Sequence, residues 1–154
     1  MTKDEIDEIR IDIESGGQAA LSMAIHRDGT LGRQGSGSIP MTEPAILGMT
    51  DGRYFTQIME LVYEEVFQHA GVYDYPEKHG VPVSYSLAFL GPASADSNDR
   101  SGVGFRVAIG TDHQDVHPIV KYVDTLSTKA VAITQPWYVA ALDGKRGEDL
   151  PGGV

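Results

Sequence analysis

The segment from Thr50 to Gly71 (TDGRYFTQIMELVYEEVFQHAG) puts more apolar bulk on one helical side than any other part of the chain. Thr50 or Asp51 can cap its first turn, and Gly71 can close it in a left-handed conformation. A helix with such a stripe must bury it against another layer, so the segment predicts a helix packed on a sheet. The stripe recurs at steps of three and four residues and consists of Phe55, Ile58, Met59, Val62, Val66 and Ala70.

Four other segments alternate apolar and polar residues, which is the pattern of a strand with one buried and one solvated face. Residues 9–13 and 21–25 are joined by turn residues and predict one antiparallel hairpin. Residues 81–89 and 103–109 predict a second hairpin across the polar loop 91–102. Between the hairpins, the glycine- and serine-rich segment 32–40 is interpreted as a flexible loop.

A second helix is predicted from about Pro118, because proline is well tolerated in a first helical turn. Pro136 is expected to end that helix or to begin a short last one. The fold prediction is therefore an α+β two-layer sandwich in ββαββα order, with a four-stranded antiparallel sheet and both helices on one face. Residues 1–144 are interpreted as a single domain and residues 145–154 as a flexible C-terminal tail. The two halves repeat the same order of elements, which leaves a duplication open.

Composition limits the classes of partner. The chain has 22 acidic and 12 basic residues, a formal net charge of −10 and no cysteine. An acidic surface without a basic cluster repels nucleic acid and anionic membranes, and the absence of cysteine suits a reducing compartment. Neither a signal peptide nor an apolar run long enough to cross a bilayer occurs. These features favour a soluble cytoplasmic protein.

The predicted sheet would present small side chains on the face turned away from the helices. A solvated face favours long or branched residues, whereas serine, alanine and glycine allow another surface to approach closely. We therefore expect this face to bind a second copy of the chain, another protein or a small molecule, and a homodimer is the simplest case. The alternative is a face left to solvent. The candidate binding residues are Ser22, Ala24, His26, Ser84, Ser86, Ala88 and Arg106.

The segment TDHQDVHP, with its cluster Asp112–His117, is the densest group of ligand-type side chains. Imidazole and carboxylate together suit zinc, manganese or iron. The alternative hypothesis is thus a small metal-dependent hydrolase or isomerase that uses His113, Asp115 and His117, with His26 or His79 as a further ligand. The competing interpretation is that the acids cap the helix and the histidines are solvated. The sequence identifies no cofactor, no substrate and no catalytic residue.

Overall fold

Seven strands form one mixed sheet in the computed structural model, which describes residues 1–74, 82–92, 100–109, 117–145 and 147–154. The order across the sheet is β4-β3-β2-β1-β6-β7-β5. β5 runs parallel to β7, and every other neighbouring pair is antiparallel. The strands are β1 (Glu8–Ser15), β2 (Gln18–His26), β3 (Thr30–Gln34), β4 (Ile46–Met49), β5 (Gly71–Asp74), β6 (Val83–Leu90) and β7 (Gly102–Ile109).

In the described part of the chain, two α-helices cover one face of this sheet. They are α1 (Arg53–Met59) and α2 (Pro118–Leu142), and short 3₁₀ helices occupy Lys3–Glu5, Glu64–His69 and Gly147–Asp149. α2 begins at Pro118 as predicted, but it continues through Pro136 without a break. Its buried side meets the strands along most of its 25 residues. The long helix therefore forms the main cover of the core.

The predicted four-stranded antiparallel sheet in ββαββα order is wrong, because the described chain has a seven-stranded mixed sheet in ββββαβββα order. The three missed strands, β3, β4 and β5, have only four or five residues each. Such short runs carry too few alternations to stand out from a loop. The parallel strand β5 is stabilised by β7, which lies about thirty residues further along the chain. The local sequence of β5 therefore does not indicate a strand.

The predicted long helix at 50–71 is also wrong. α1 ends at Met59, and the chain tightens into a turn in which Leu61 N–H donates to the Ile58 carbonyl at 2.9 Å. The Tyr122 hydroxyl on α2 then replaces helical hydrogen bonds: it donates to the Leu61 carbonyl at 2.8 Å and accepts from Tyr63 N–H at 3.2 Å. Tertiary hydrogen bonding thus overrides a helical apolar pattern at this point.

The alternation of the four long strands correctly predicted which side of the sheet is buried. Leu21 and Phe105 lie in one core cluster with Phe55 of α1 and Val123 of α2, and Tyr85 packs against that cluster. Removing large apolar side chains from water supplies the main stabilisation of such a two-layer core. The opposite face of the sheet carries charged, small and, at its edges, apolar side chains, and is described below.

Segment 32–40 was predicted to be a flexible loop, and this is wrong for its beginning, because β3 ends at Gln34. Arg33 points into the interior with 1% of its surface exposed. Its guanidinium donates to the Val131 carbonyl at 2.9 Å, to Thr134 Oγ1 at 2.8 Å and to Gln135 Oε1 at 2.5 Å, and it lies 4.7 Å above the Tyr138 ring. These bonds fix β3 to α2 beside Pro136, where the helix lacks one backbone donor.

The C-terminal residues pack beside the end of β4. Gly153 forms a bridge with Thr50, the Gly152 carbonyl accepts from Asp51 N–H at 2.8 Å, and the Pro151 carbonyl accepts from the Tyr54 hydroxyl. Leu150 packs against the core cluster. The division into a domain at 1–144 and a tail at 145–154 stays a prediction.

Candidate functional site

The candidate site is the sheet face that turns away from α1 and α2, here called the open face. All seven candidate binding residues lie on it, because they occupy alternate positions on β2, β6 and β7. Ser22, Ser86 and Arg106 are exposed, while the other four are partly buried by their neighbours. The long strands also contribute Arg10, Asp12, Glu14, Gly104 and Ala108 to the open face.

One transverse row of residues runs through Ser86 at the middle of the open face. The pairing places Asp12 of β1 on one side of Ser86 and Arg106 of β7 on the other. The row continues outward to Ser22 next to Asp12, and to Val72 next to Arg106. Neighbouring strands are about 4.8 Å apart, so Asp12 and Arg106 lie on the order of 10 Å apart and equally far from β6.

Asp12 and Arg106 are both exposed. Neither makes a hydrogen bond or an ion pair with any residue in the described part of the chain. Between them, Ser86, Ala88 and Gly104 form the floor of a shallow depression of about 330 Å³, which Arg10 also borders. The depression therefore combines a floor of small residues with two opposite charges that are available to a bound surface.

Large apolar side chains stand at both lateral edges of the open face. Leu47 of β4 is 77% exposed and lies beside Gly32, and Val72 of β5 is 66% exposed and lies beside Arg106. Sequence reasoning missed both residues, because it did not identify their strands. The available signal was the alternation in ILGM and GVYD, which is too short to be distinctive.

A buried carboxylate closes one end of the open face. Glu8 is 2% exposed and accepts hydrogen bonds from Arg10 Nε and, at 2.9 Å, from Arg100 Nη1. His26 Nδ1 lies 3.6 Å from the same carboxylate, so this candidate residue also orients toward Glu8. Burial alone would raise the pKa of Glu8, but the hydrogen bonds from Arg100 and Arg10 together hold it below its usual value.

Sequence reasoning missed Glu8 and Arg100 as partners, because 92 positions separate them. The depression beside them is lined by Asp7, Glu8, His26, Arg27, Asp28 and Arg100. None of these described lining residues carries a hydroxyl or thiol nucleophile, and the guanidiniums are engaged with protein acceptors. We therefore interpret this cluster as an electrostatic anchor of β1, β2 and the start of β7.

Replacing Glu8 by Gln should lower the free energy of unfolding by about 2 kcal/mol at neutral pH, since the two arginines lose an anionic acceptor. The lowered pKa means that the Glu8 contribution is present above the unfolded-state pKa and is lost as the pH falls through the folded-state pKa. The difference between wild type and variant should therefore shrink below about pH 4.5. Urea unfolding from pH 7 to pH 3 measures it. Glu65→Gln on the exposed surface is the control, and a difference independent of pH would contradict the assignment.

The metal hypothesis rests on residues that the structure describes only in part. His113, Asp115 and His79 lie outside the described residues. His117 caps α2, because its Nδ1 accepts from Ile119 N–H at 3.1 Å, and its ring lies 5.1 Å from that of Tyr73. Within the described ranges, no group of three or more His, Asp or Glu side chains could hold a metal ion. The metal site stays a prediction.

Together, the fold and the open face define an α+β protein in which, among the described residues, helices cover one face of the sheet and leave the other uncovered. None of the helices in the described part of the chain combines the length and the apolar character needed to span a bilayer. Comparisons with protein-family models, with curated proteins and with solved structures find no match to this chain.

Proposed function

We propose that this chain is a binding module whose open face docks against another protein surface. The observation that carries the proposal is the pair of exposed, oppositely charged residues Asp12 and Arg106, which have no hydrogen-bond or ion-pair partner among the described residues and lie on either side of a floor of small residues. Exposed apolar residues at the lateral edges, Leu47 and Val72, add area that gains free energy when it leaves water.

Charge supports a protein partner for this face. The chain as a whole carries a net charge of −10, which opposes nucleic acid and anionic membranes. On the open face, however, the arginines Arg10 and Arg106 stand beside the acids Asp12, Glu14 and Asp74, which leaves an excess of one acid. A nearly neutral face with separated charges of both signs favours a partner of complementary pattern over a polyanion. The lack of cysteine suits a reducing setting, and we propose a cytoplasmic location.

Site-specific photo-cross-linking tests the proposal without assuming a particular partner. A benzophenone side chain in place of Ser22 lies on the open face, whereas the same residue in place of Ala132 lies on the exposed side of α2. We expect a discrete adduct from position 22, in the purified protein or in cells that make it natively, and none from position 132. Equal adducts from the two positions, or no adduct from position 22, would contradict docking on the open face.

A further inference from the structure

We propose that the surface docked on the open face is the open face of a second copy of this chain, related to the first by a two-fold axis parallel to β6. This inference rests on the proposed function of the open face and names its partner. Its basis is the arrangement of charges around β6. Asp12 and Arg106 flank Ser86 in one row, at equal distances on opposite sides.

A two-fold axis between two facing sheets, directed along β6, exchanges the left and right sides of the face and keeps each row in place. Asp12 of one copy then lies over Arg106 of the second copy, and Arg106 of the first lies over Asp12 of the second. Each dimer thus contains this pair twice. An axis perpendicular to the strands through the same row would instead place Asp12 over Asp12 and Arg106 over Arg106. The charges therefore select the axis along β6.

The residues nearest to the axis fit this arrangement. Ser86 and Ala88 of β6 would face their own equivalents, and small side chains there allow two sheets to approach to about 10 Å. Arg10 would face Gly104 of the second copy, because Arg10 and Gly104 flank Ala88 in the next row. The long side chain of Arg10 is thereby placed opposite a residue without one.

The twist of the two sheets is compatible with the pairing of Asp12 and Arg106 between the copies. Facing sheets cross at about 30°, and a residue one strand away from the axis shifts by only a few ångströms under that rotation, which is within the reach of an arginine side chain. Further from the axis, the exposed side chain of Val72 would face Ser22 of the second copy. The axis along β6 leaves two strands on one side of it and four on the other. Five strands of each copy (β2, β1, β6, β7 and β5) therefore face each other, over a width of about 24 Å.

Charge reversal tests the arrangement. Light scattering coupled to size-exclusion chromatography should give twice the 16.6 kDa chain mass for the wild type. Asp12→Arg and Arg106→Asp should each raise the dimer dissociation constant by at least about tenfold, since each creates two like-charge contacts per dimer. The double variant restores two opposite-charge contacts and should return to within about threefold of wild type. Glu60→Arg, which changes the net charge as Asp12→Arg does but at an exposed position near α1, should leave the dimer unchanged.

The outcomes separate this inference from the proposed function. In the first outcome, the wild type is monomeric at about 100 µM and position 22 gives an adduct whose mass differs from that of a dimer of this chain. This outcome overturns the second copy as partner but leaves the proposal of a docking face intact. A second outcome is a dimer that dissociates on Ala88→Arg but not on Ala132→Arg, and that the charge reversals leave unchanged. This outcome overturns only the two-fold arrangement. A dimer insensitive to Ala88→Arg, with no adduct from position 22, overturns both. Circular dichroism of each variant establishes that it is folded.

Discussion

Replacing Arg33 by Met is expected to lower the free energy of unfolding by about 3 kcal/mol. The side chain is buried, and its guanidinium satisfies the Val131 carbonyl, Thr134 Oγ1 and Gln135 Oε1, all on α2. Methionine fills a similar volume but leaves these acceptors without their donor. Burial of the cation costs free energy, which opposes the stabilisation from these hydrogen bonds. The same burial lowers the pKa of Arg33 to about 10, yet the group remains charged at neutral pH. The lost hydrogen bonds outweigh the relieved burial cost.

Equilibrium urea unfolding of wild type, Arg33→Met and Arg33→Lys measures this effect. Lysine keeps the charge but lacks the planar fork that reaches several acceptors at once, so it should restore less than half of the loss. Arg53→Met is the matched control, because Arg53 pairs with Asp51 at the surface and such solvent-exposed pairs contribute little to stability. A loss at Arg33 no larger than that at Arg53 would show that the buried network does not fix β3 to α2.

Replacing Gly35 by Ala is expected to cost at least about 3 kcal/mol, or to prevent folding. Gly35 has φ +91°, and an added Cβ would overlap the backbone oxygen of Ala20 and lie 2.7 Å from Met41 Cγ. The backbone cannot move away easily, because Gly35 N–H donates to the Tyr138 hydroxyl at 3.0 Å and the Gly35 carbonyl accepts from Arg33 at 3.2 Å.

Gly17→Ala separates the two causes of that loss. Gly17 also has a positive φ, +79°, but a Cβ added there meets nothing within 4 Å. It should therefore carry only the conformational cost, about 1 kcal/mol. Thermal and urea unfolding of both variants provide the comparison. Similar losses at the two glycines would mean that the close approach at Gly35 can relax, and that its backbone bonds do not hold the turn.

The long strands show which part of the fold could be predicted from the sequence. Ile9, Ile11 and Ile13 alternate with charged residues over enough positions to define a strand and its buried side. β3 was missed because Arg33 occupies a buried position of its pattern, and an arginine there becomes acceptable only when α2 supplies acceptors about 100 positions away. The prediction of a helix extending to Gly71 is wrong because the Leu61 carbonyl accepts a hydrogen bond from the Tyr122 hydroxyl on α2 and not from the backbone of a continuing helix.

The candidate site was likewise predictable only in part. Alternation alone placed Ser22, Ser86 and Arg106 on one face. It could not give the order of the strands, and so it could not show that Asp12 and Arg106 flank β6. That relation depends on β1 pairing with β6 across the two hairpins. The edge residues Leu47 and Val72 and the buried Glu8–Arg100 pair depend equally on non-local pairing.

The position of β1 at the centre of the sheet has a consequence for biosynthesis. β2 follows β1 at once, but the second neighbour, β6, begins only at Val83, and the main cover, α2, extends to Leu142. A nascent chain leaving the ribosome would therefore present the apolar side of this hairpin to the cell until β6 and α2 have also emerged. Such distant pairing makes folding slow, and the exposed hairpin is a natural substrate for chaperones during that interval.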